Sequence, residues 1–285
     1  MIPPHYINQI LVGDVLEYLR PIGDGAVPLF FFSPPYNLNR RAVRSGAQPG
    51  ITRGVRLKRL AHSRDDAAYA ARGGHGKWKN GTAYDGYDDA LPHAAYVAWQ
   101  QQILAECWRC LSEDGAIFYV HKPRVRDGEC ITPLAYAPPE LILRQIVIWK
   151  RAGGVNMAPT HYMPTHEWIC IWAKPAFRLR SKGASGVGDV WSIPQEPNTW
   201  HPAPFPLALA VQALNTVRRP ALVVDPFAGS GTTCRAAKLL GIPYAGNDRS
   251  ASYVARARRE LTAAPAAGFA AITTADTMPL FEEAA

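Results

Sequence analysis

The sequence predicts an α/β domain built on an open, largely parallel sheet, and three observations point there. Leu29–Phe32 and Ala221–Val224 are short unbroken apolar runs, the pattern of strands buried on both faces. His93 to Leu111 carries Tyr96, Val97, Trp99, Ile103, Leu104, Cys107, Trp108 and Leu111 at helical spacing. Residues 221–240 read as strand, Gly-rich turn, helix, the unit from which doubly wound sheets are assembled.

The elements follow in order. Tyr6–Leu11 alternates loosely and ends at Gly13-Asp14, a strand and a turn, and Val15–Leu19 is a short helix at best. Leu29–Phe32 is the first buried strand. From Leu38 to about Leu91 no period holds, and Gly, Arg, Asp and Ser dominate; a stretch this long without structure of its own is usually functional or mobile. Trp78, Tyr84 and Tyr87 near its end suit stacking on bases or anchoring the loop. After the helix at His93–Leu111, Ser112–Gly115 reads as its terminator and Ala116–Val120 as a buried strand. Leu141–Trp149 and Glu167–Trp172 are two more strands. Lys174–Gln195 is a polar, Gly-rich connector, and Pro206 suits the start of a helix at Leu207–Asn215, where its missing N–H costs nothing. Helix Cys234–Leu240, strand Tyr244–Gly246 and helix Ser250–Leu261 complete the series, and the Ala-rich remainder reads as a flexible tail. The predicted layout is one domain over residues 1–261, with a basic insertion at 39–83, a small recognition connector at 174–195 and a tail at 262–285.

At 285 residues and 48% hydrophobic, the chain can bury a full core. It has no run of 18 apolar residues and no charged start followed by an apolar one, so the expectation is a soluble protein away from membranes. Five scattered cysteines argue for a reducing cytoplasm and against a disulfide framework. Cys107 and Cys110 form a lone C-x-x-C inside a helix, which reads as core packing, and His166-Glu167-Trp168-Ile169-Cys170 lacks the second histidine of a zinc-protease helix, so no metal is expected. The net charge is +8. Between 39 and 80 stand eleven basic and two acidic residues, a local net of +9 that leaves about −1 for everything else. A concentrated excess of this kind suits a polyanion-gripping loop, with Asn37, Arg40, Arg41, Arg44, Arg53, Arg56, Lys58 and Arg59 as its candidate contacts.

Two short segments carry chemistry. In Ser33-Pro34-Pro35-Tyr36-Asn37 two prolines stop the Leu29–Phe32 strand, and neither can donate to a ladder. The result is a rigid lip at a strand's C-terminal end, with a hydroxyl on Ser33, a free carbonyl on Pro34 and an aromatic ring on Tyr36. That set suits a planar ring with an exocyclic amine. Asp225-Pro226-Phe227-Ala228-Gly229-Ser230-Gly231-Thr232 joins strand to helix, offering glycines for close backbone approach and the free N–H groups of a helix start. It lacks the third glycine of a dinucleotide fingerprint and the Gly-Lys-Ser/Thr of a P-loop, so it predicts a nucleoside-like ligand without a pyrophosphate clamp. Asp248 lies roughly twenty residues further on, where an acid grips ribose hydroxyls or, alternatively, caps the following helix.

Together with the block His201-Pro202-Ala203-Pro204-Phe205-Pro206, these segments resemble the amino-methyltransferases of DNA, which methylate the exocyclic amine of cytosine or adenine. The order, catalytic motif before cofactor motif, resembles the circularly permuted β group. The resemblance covers roughly residues 5–38 and 84–261. It implies a Rossmann-like fold dependent on S-adenosylmethionine with a seven-stranded, mostly parallel sheet. It implies Ser33, Pro34, Pro35 and Tyr36 as the catalytic lip, with Tyr36 as stacking face for a base flipped out of double-stranded DNA. It implies a cofactor site of Asp225, Phe227, Gly229, Ser230, Gly231 and Thr232, with Asp248 on the ribose, Asp14 near the adenine and Phe205 over the methionine end. Serine at the head of the motif resembles the cytosine-N4 members more, although the same five residues also occur in adenine-N6 enzymes. Other readings consistent with the sequence are a DNA-binding relative that no longer transfers methyl groups, and transfer to RNA or to a protein amide. The host is expected to be a prokaryote or phage and the protein a monomer or homodimer. Leu280 and Phe281 in the tail are similar to the short peptides that dock in bacterial sliding clamps.

Overall fold

The structure is a computed structural model that describes residues 1–37, 85, 87, 89–126, 128–151, 159–196 and 200–263. The arginines and lysine of the basic insertion from Arg40 to Arg59, Trp78, Tyr84, and the tail with Leu280 and Phe281 lie outside the described residues. Ten strands occur among those described: β1 (Gln9–Val12), β2 (Val27–Phe32), β3 (Leu111–His121), β4 (Arg124–Arg126), β5 (Glu129–Ile131), β6 (Leu143–Lys150), β7 (His166–Ala173), β8 (Val190–Ser192), β9 (Val223–Asp225) and β10 (Tyr244–Asp248). The helices are α1 (Val15–Leu19), α2 (His93–Cys110), α3 (Lys182–Ser185), α4 (Leu207–Thr216), α5 (Thr232–Leu239) and α6 (Ala251–Ala263).

Eight strands form one sheet in the order β1-β10-β9-β2-β3-β7-β6-β8, and β4 and β5 pair as a separate hairpin. Of the eight, β7 alone runs against the others. The expectation of seven strands is therefore corrected to eight. The added one is the three-residue edge strand β8, which pairs parallel to β6 through Ile148↔Val190. It arises inside the 174–195 connector, which holds more structure than its Gly-rich composition predicts, because Trp191 is buried and draws the chain onto the sheet edge. The supposed terminator Ser112–Gly115 is likewise part of β3. A shift in register between Val27 and Leu29 absorbs its polar residues, and Gly115 is required there because a Cβ would lie 2.9 Å from the Pro28 carbonyl.

Alternation along β2 divides the core. Leu29 and Phe31 pack with α4, α5 and α6 on one face, and Phe30 and Phe32 with α1 and α2 on the other. Cys107 and Cys110 are buried in the second cluster, as expected of a helix facing the sheet. The adjacent strands β9 and β2 thus send their chain to opposite faces: α5 follows β9 on one, and α2 leads into β3 on the other. A sheet that switches faces in this way opens a crevice at the strands' C-terminal ends. No helix among the described residues is long and apolar enough to cross a membrane.

Candidate active site

The crevice is a cavity lined from four strand ends. Gly13, Asp14 and Val15 follow β1; Asn247, Asp248 and Arg249 stand at the end of β10; Pro226, Phe227 and Gly229 follow β9; Ser33, Pro34, Pro35 and Tyr36 follow β2. Asp85, Tyr87, Trp99, His201 and Tyr253 close the rim. The lip and the glycine turn therefore meet, as their adjacent strands require: Leu29 pairs with Val223 and Phe30 with Val224.

The turn is shaped by backbone. Asp225 Oδ1 accepts from the Phe227 N–H at 2.9 Å, and the Ala228 N–H donates to the Asn247 carbonyl at 2.7 Å. Gly229 has φ +49° and donates its N–H to Asp248 Oδ2 at 2.8 Å, while a Cβ on it would come within 2.7 Å of His201 Nε2. Glycine here lets the chain pass beneath the His201 ring. Gly231, with φ +76°, answers a different need, since its Cβ would sit 3.0 Å from the Ala257 Cβ. It brings α5 close to α6 and does not face the cavity. Ser230 Oγ and Thr232 Oγ1 bond each other at 2.9 Å and are buried, and Asp225 is 1% exposed. Phe205, partly buried, stacks edge-to-face on Phe31 at 5.2 Å against the core. Of the nine residues expected to form the cofactor site, Asp14, Phe227, Gly229 and Asp248 thus line the cavity. Asp225, Ser230, Gly231, Thr232 and Phe205 are not among the residues that line it.

Both Asp248 oxygens are engaged, Oδ2 by Gly229 and Oδ1 by the Ser250 N–H at 2.9 Å, but the cap of α6 is Ser250, whose Oγ accepts from the Tyr253 N–H at 3.1 Å. A carboxylate offers about four lone-pair sites, which leaves it acceptor capacity toward the cavity. Burial raises its pKa although those two amides pull the other way. Asp14 caps α1, accepting from the Leu16 N–H at 2.9 Å. Asp85, at the rim, accepts from the Ser250 and Ser252 hydroxyls, and these hold its pKa below the usual carboxylate range. Asn247 donates from Nδ2 to the Gly13 carbonyl at 3.1 Å, tying the end of β10 to that of β1. Its Oδ1 is buried with no hydrogen-bond partner among the described residues. A buried acceptor left open on a cavity wall marks a place for a donor on a ligand. Burial also lowers the pKa of His201, to about 4, keeping its ring neutral over Gly229.

The lip is shaped by side chains. Ser33 Oγ donates to Tyr36 Oη at 2.9 Å, and Tyr36 Oη donates to Glu167 Oε2 at 2.7 Å. The Pro35 carbonyl accepts from the Tyr96 hydroxyl at 2.8 Å. Tyr36 is 8% exposed, its ring centroid 4.2 Å from that of His121. Tyr36 lines the cavity with its ring packed against His121 and its hydroxyl held in a network. The expectation for Asn37 is corrected. It takes φ +54°, is 4% exposed, and exchanges two hydrogen bonds of 2.8 Å with the backbone of Leu91, so its side chain fastens the lip and is not open to DNA. Glu167 lies outside both short segments that carry the sequence signal. A carboxylate at the head of an apolar strand was the available signal, since burial of such a group demands partners.

Comparison with known proteins follows the same lines. The DNA methylase family model matches residues 27–259. The type II methyltransferase M.BglII of Bacillus subtilis is 25% identical over 92% of this chain and 71% of its own length. M.HinfI of Haemophilus influenzae is 25% identical over 90% of the chain and 68% of its own length. Among solved structures, the cytosine-N4-specific PvuII DNA methyltransferase superposes with a TM-score of 0.59 at 15% identity, covering 90% of this chain and 92% of that one. TTHA0409 from Thermus thermophilus, complexed with S-adenosyl-L-methionine, gives 0.57 at 20% identity, covering 90% and 93%. These likenesses share the fold described above, and the family match spans both the lip and the glycine turn: the chain belongs to the DNA methylase family, the N6- and N4-amino methyltransferases of DNA.

Proposed function

We propose that this chain methylates the N4 amine of a cytosine flipped out of double-stranded DNA, with S-adenosylmethionine as methyl donor. The observation that carries the reading is one cavity shared by the Ser33 hydroxyl, the Pro34 carbonyl, and the Gly229–Asp248 wall. The cofactor supplies a methyl group activated on a sulfonium. The residues present fit it. Asp14, Asp85 and Asp248 give the cavity carboxylates suited to a cation, Asp248 keeps acceptor capacity for ribose hydroxyls, Phe227 offers a flat wall, and Asn247 Oδ1 awaits a donor.

An exocyclic amine is a poor nucleophile because its lone pair is delocalised into the ring. Accepting its two N–H groups on Ser33 Oγ and the Pro34 carbonyl favours a pyramidal nitrogen and aims the freed lone pair, so positioning and charge placement do most of the work. No described residue donates to the Pro34 carbonyl, which leaves it available for this. The amine cannot be reached inside a duplex, hence the flipped base. The basic stretch supplies the grip on phosphates: replacing Arg40, Arg41 and Arg44 by Gln should flatten the salt dependence of DNA affinity, and an unchanged slope would reject that role.

The test is to incubate the full chain with unmethylated genomic DNA and cofactor, digest to nucleosides and identify the product by mass. N4-methylcytosine is expected. N6-methyladenine would transfer the same mechanism to the other amine, and no methylated base in DNA would overturn the reading.

A further inference from the structure

Ser33 is a weak base, yet the amine must lose a proton once methylated. The lip shows where that proton can go. Ser33 Oγ donates to Tyr36 Oη, and Tyr36 Oη donates to Glu167 Oε2, its longer contact being the Val120 carbonyl at 3.3 Å. Glu167 Oε1 lies 3.0 Å from Arg151 Nη1, with the Glu167 side chain 9% and the Arg151 side chain 12% exposed. A carboxylate so enclosed touches the cavity through two hydroxyls in series, and both hydrogens are oriented from the cavity toward it.

We propose that Glu167 is the end point of a proton path, Ser33 to Tyr36 to Glu167, that drains the methylated amine; the inference rests on the function proposed above. The amine's lone pair forms the N–CH3 bond as the S–CH3 bond breaks, with the electron pair of that bond staying on sulfur and the positive charge passing to nitrogen. One N–H proton then moves to Ser33 Oγ, the serine's own proton to Tyr36 Oη, and the tyrosine's own to Glu167 Oε2. One N–H and two O–H bonds break while three O–H bonds form; both hydroxyls end neutral and the carboxylate becomes the acid. The path resets after product release by the reverse relay to water. Nitrogen bearing both a methyl and two protons is a strong acid, since losing one restores delocalisation into the ring, so a carboxylate suffices as acceptor. A buried ion pair adds little net stability because desolvation offsets its attraction. The Arg151–Glu167 pair therefore calls for a use beyond holding the fold. Glu167 acts through Tyr36 and never meets the base.

Glutamine at 167 can still accept the Tyr36 hydrogen bond but not the proton, which separates a relay from a prop. Single-turnover methylation by the full-length protein should fall about 100-fold in Glu167→Gln and in Tyr36→Phe. The double variant should be no slower than the worse single, because residues acting as one unit do not add. Cofactor affinity by calorimetry and DNA affinity by anisotropy should stay within about threefold of wild type, against the large fall in rate. Tyr36→Phe leaves the Arg151–Glu167 pair intact and carries the test should Glu167→Gln fold poorly. A Glu167→Gln or Tyr36→Phe rate within about threefold of wild type, or losses that multiply in the double variant, would overturn the path while the proposed function stands. A wild-type chain that methylates no DNA would overturn both.

Discussion

Two segments leave neighbouring strand ends of one sheet: the lip at 33–37 after β2 and the turn at 225–231 after β9. The turn is fastened through peptide groups, with Gly229 on Asp248 and Ala228 on Asn247, all within about twenty residues of sequence. The lip is fastened through side chains that reach far along the chain, Tyr36 to Glu167, Asn37 to Leu91, and the Pro35 carbonyl to Tyr96. Two prolines leave the lip few amides to donate, so side chains must do what the backbone does in the turn. The lesson is that a ligand wall can come from local chain geometry, whereas a reactive edge draws on the whole fold.

Four measurements sharpen or break this contrast. The largest effect is expected from Ser33→Ala, which removes an acceptor from the reacting amine. Single-turnover methylation, followed by tritiated methyl incorporation, should drop about 10²–10³-fold with cofactor affinity unchanged. A matching loss of cofactor affinity would erase the division of labour between the two segments. Next comes Gly231→Ala, which forces a side chain into φ +76° and 3.0 Å from Ala257. It should cost about 1–3 kcal/mol of stability in denaturant melts, because a backbone-built turn has no slack. Gly229→Ala should weaken cofactor binding about tenfold by pushing on His201, a penalty of about 1.4 kcal/mol read by calorimetry. If Gly231→Ala proved the worse binder and Gly229→Ala the worse folder, the roles of the two glycines would be reversed.

The smallest effect concerns Asp225. Burial pushes its carboxyl up from 3.8 to about 7, although its bond from the Phe227 N–H pulls the other way. The folded chain then keeps a proton that the unfolded chain has lost over this range. The resulting stability is full below about pH 4 and disappears as pH rises through about 7. Asp225→Asn has no such titration. The melting temperature of wild type minus that of the variant should therefore fall steadily from about pH 4.5 to about pH 7.5, and a flat difference would contradict the buried acid.

The same contrast sets what the sequence disclosed. The glycine turn was readable because its determinants are adjacent residues, and the apolar runs on either side fixed the strand and helix around it. The position of the lip was readable from two prolines closing an apolar run, but its partners were not. Tyr36 meets Glu167 across 131 positions, and no local pattern encodes that pairing. Strands β4, β5 and β8 span three residues each, too short for a period to register. Ser112–Gly115 misled because an irregular register lets polar residues sit inside a strand.

The pairing of β1 with β10 sets Val12 against Asp248, so two points of the polypeptide 236 positions apart are laid side by side. Asp14 and Asp248 consequently share one wall only after nearly all of the described chain has left the ribosome. On the proposed function, a growing polypeptide would carry the Ser33 edge early and complete the wall for a methyl donor only late. Ribosome-stalled chains ending at residue 240 should accordingly retain no radiolabelled donor on filters, while the full 285-residue chain stalled behind an appended linker long enough to clear the exit tunnel should retain it.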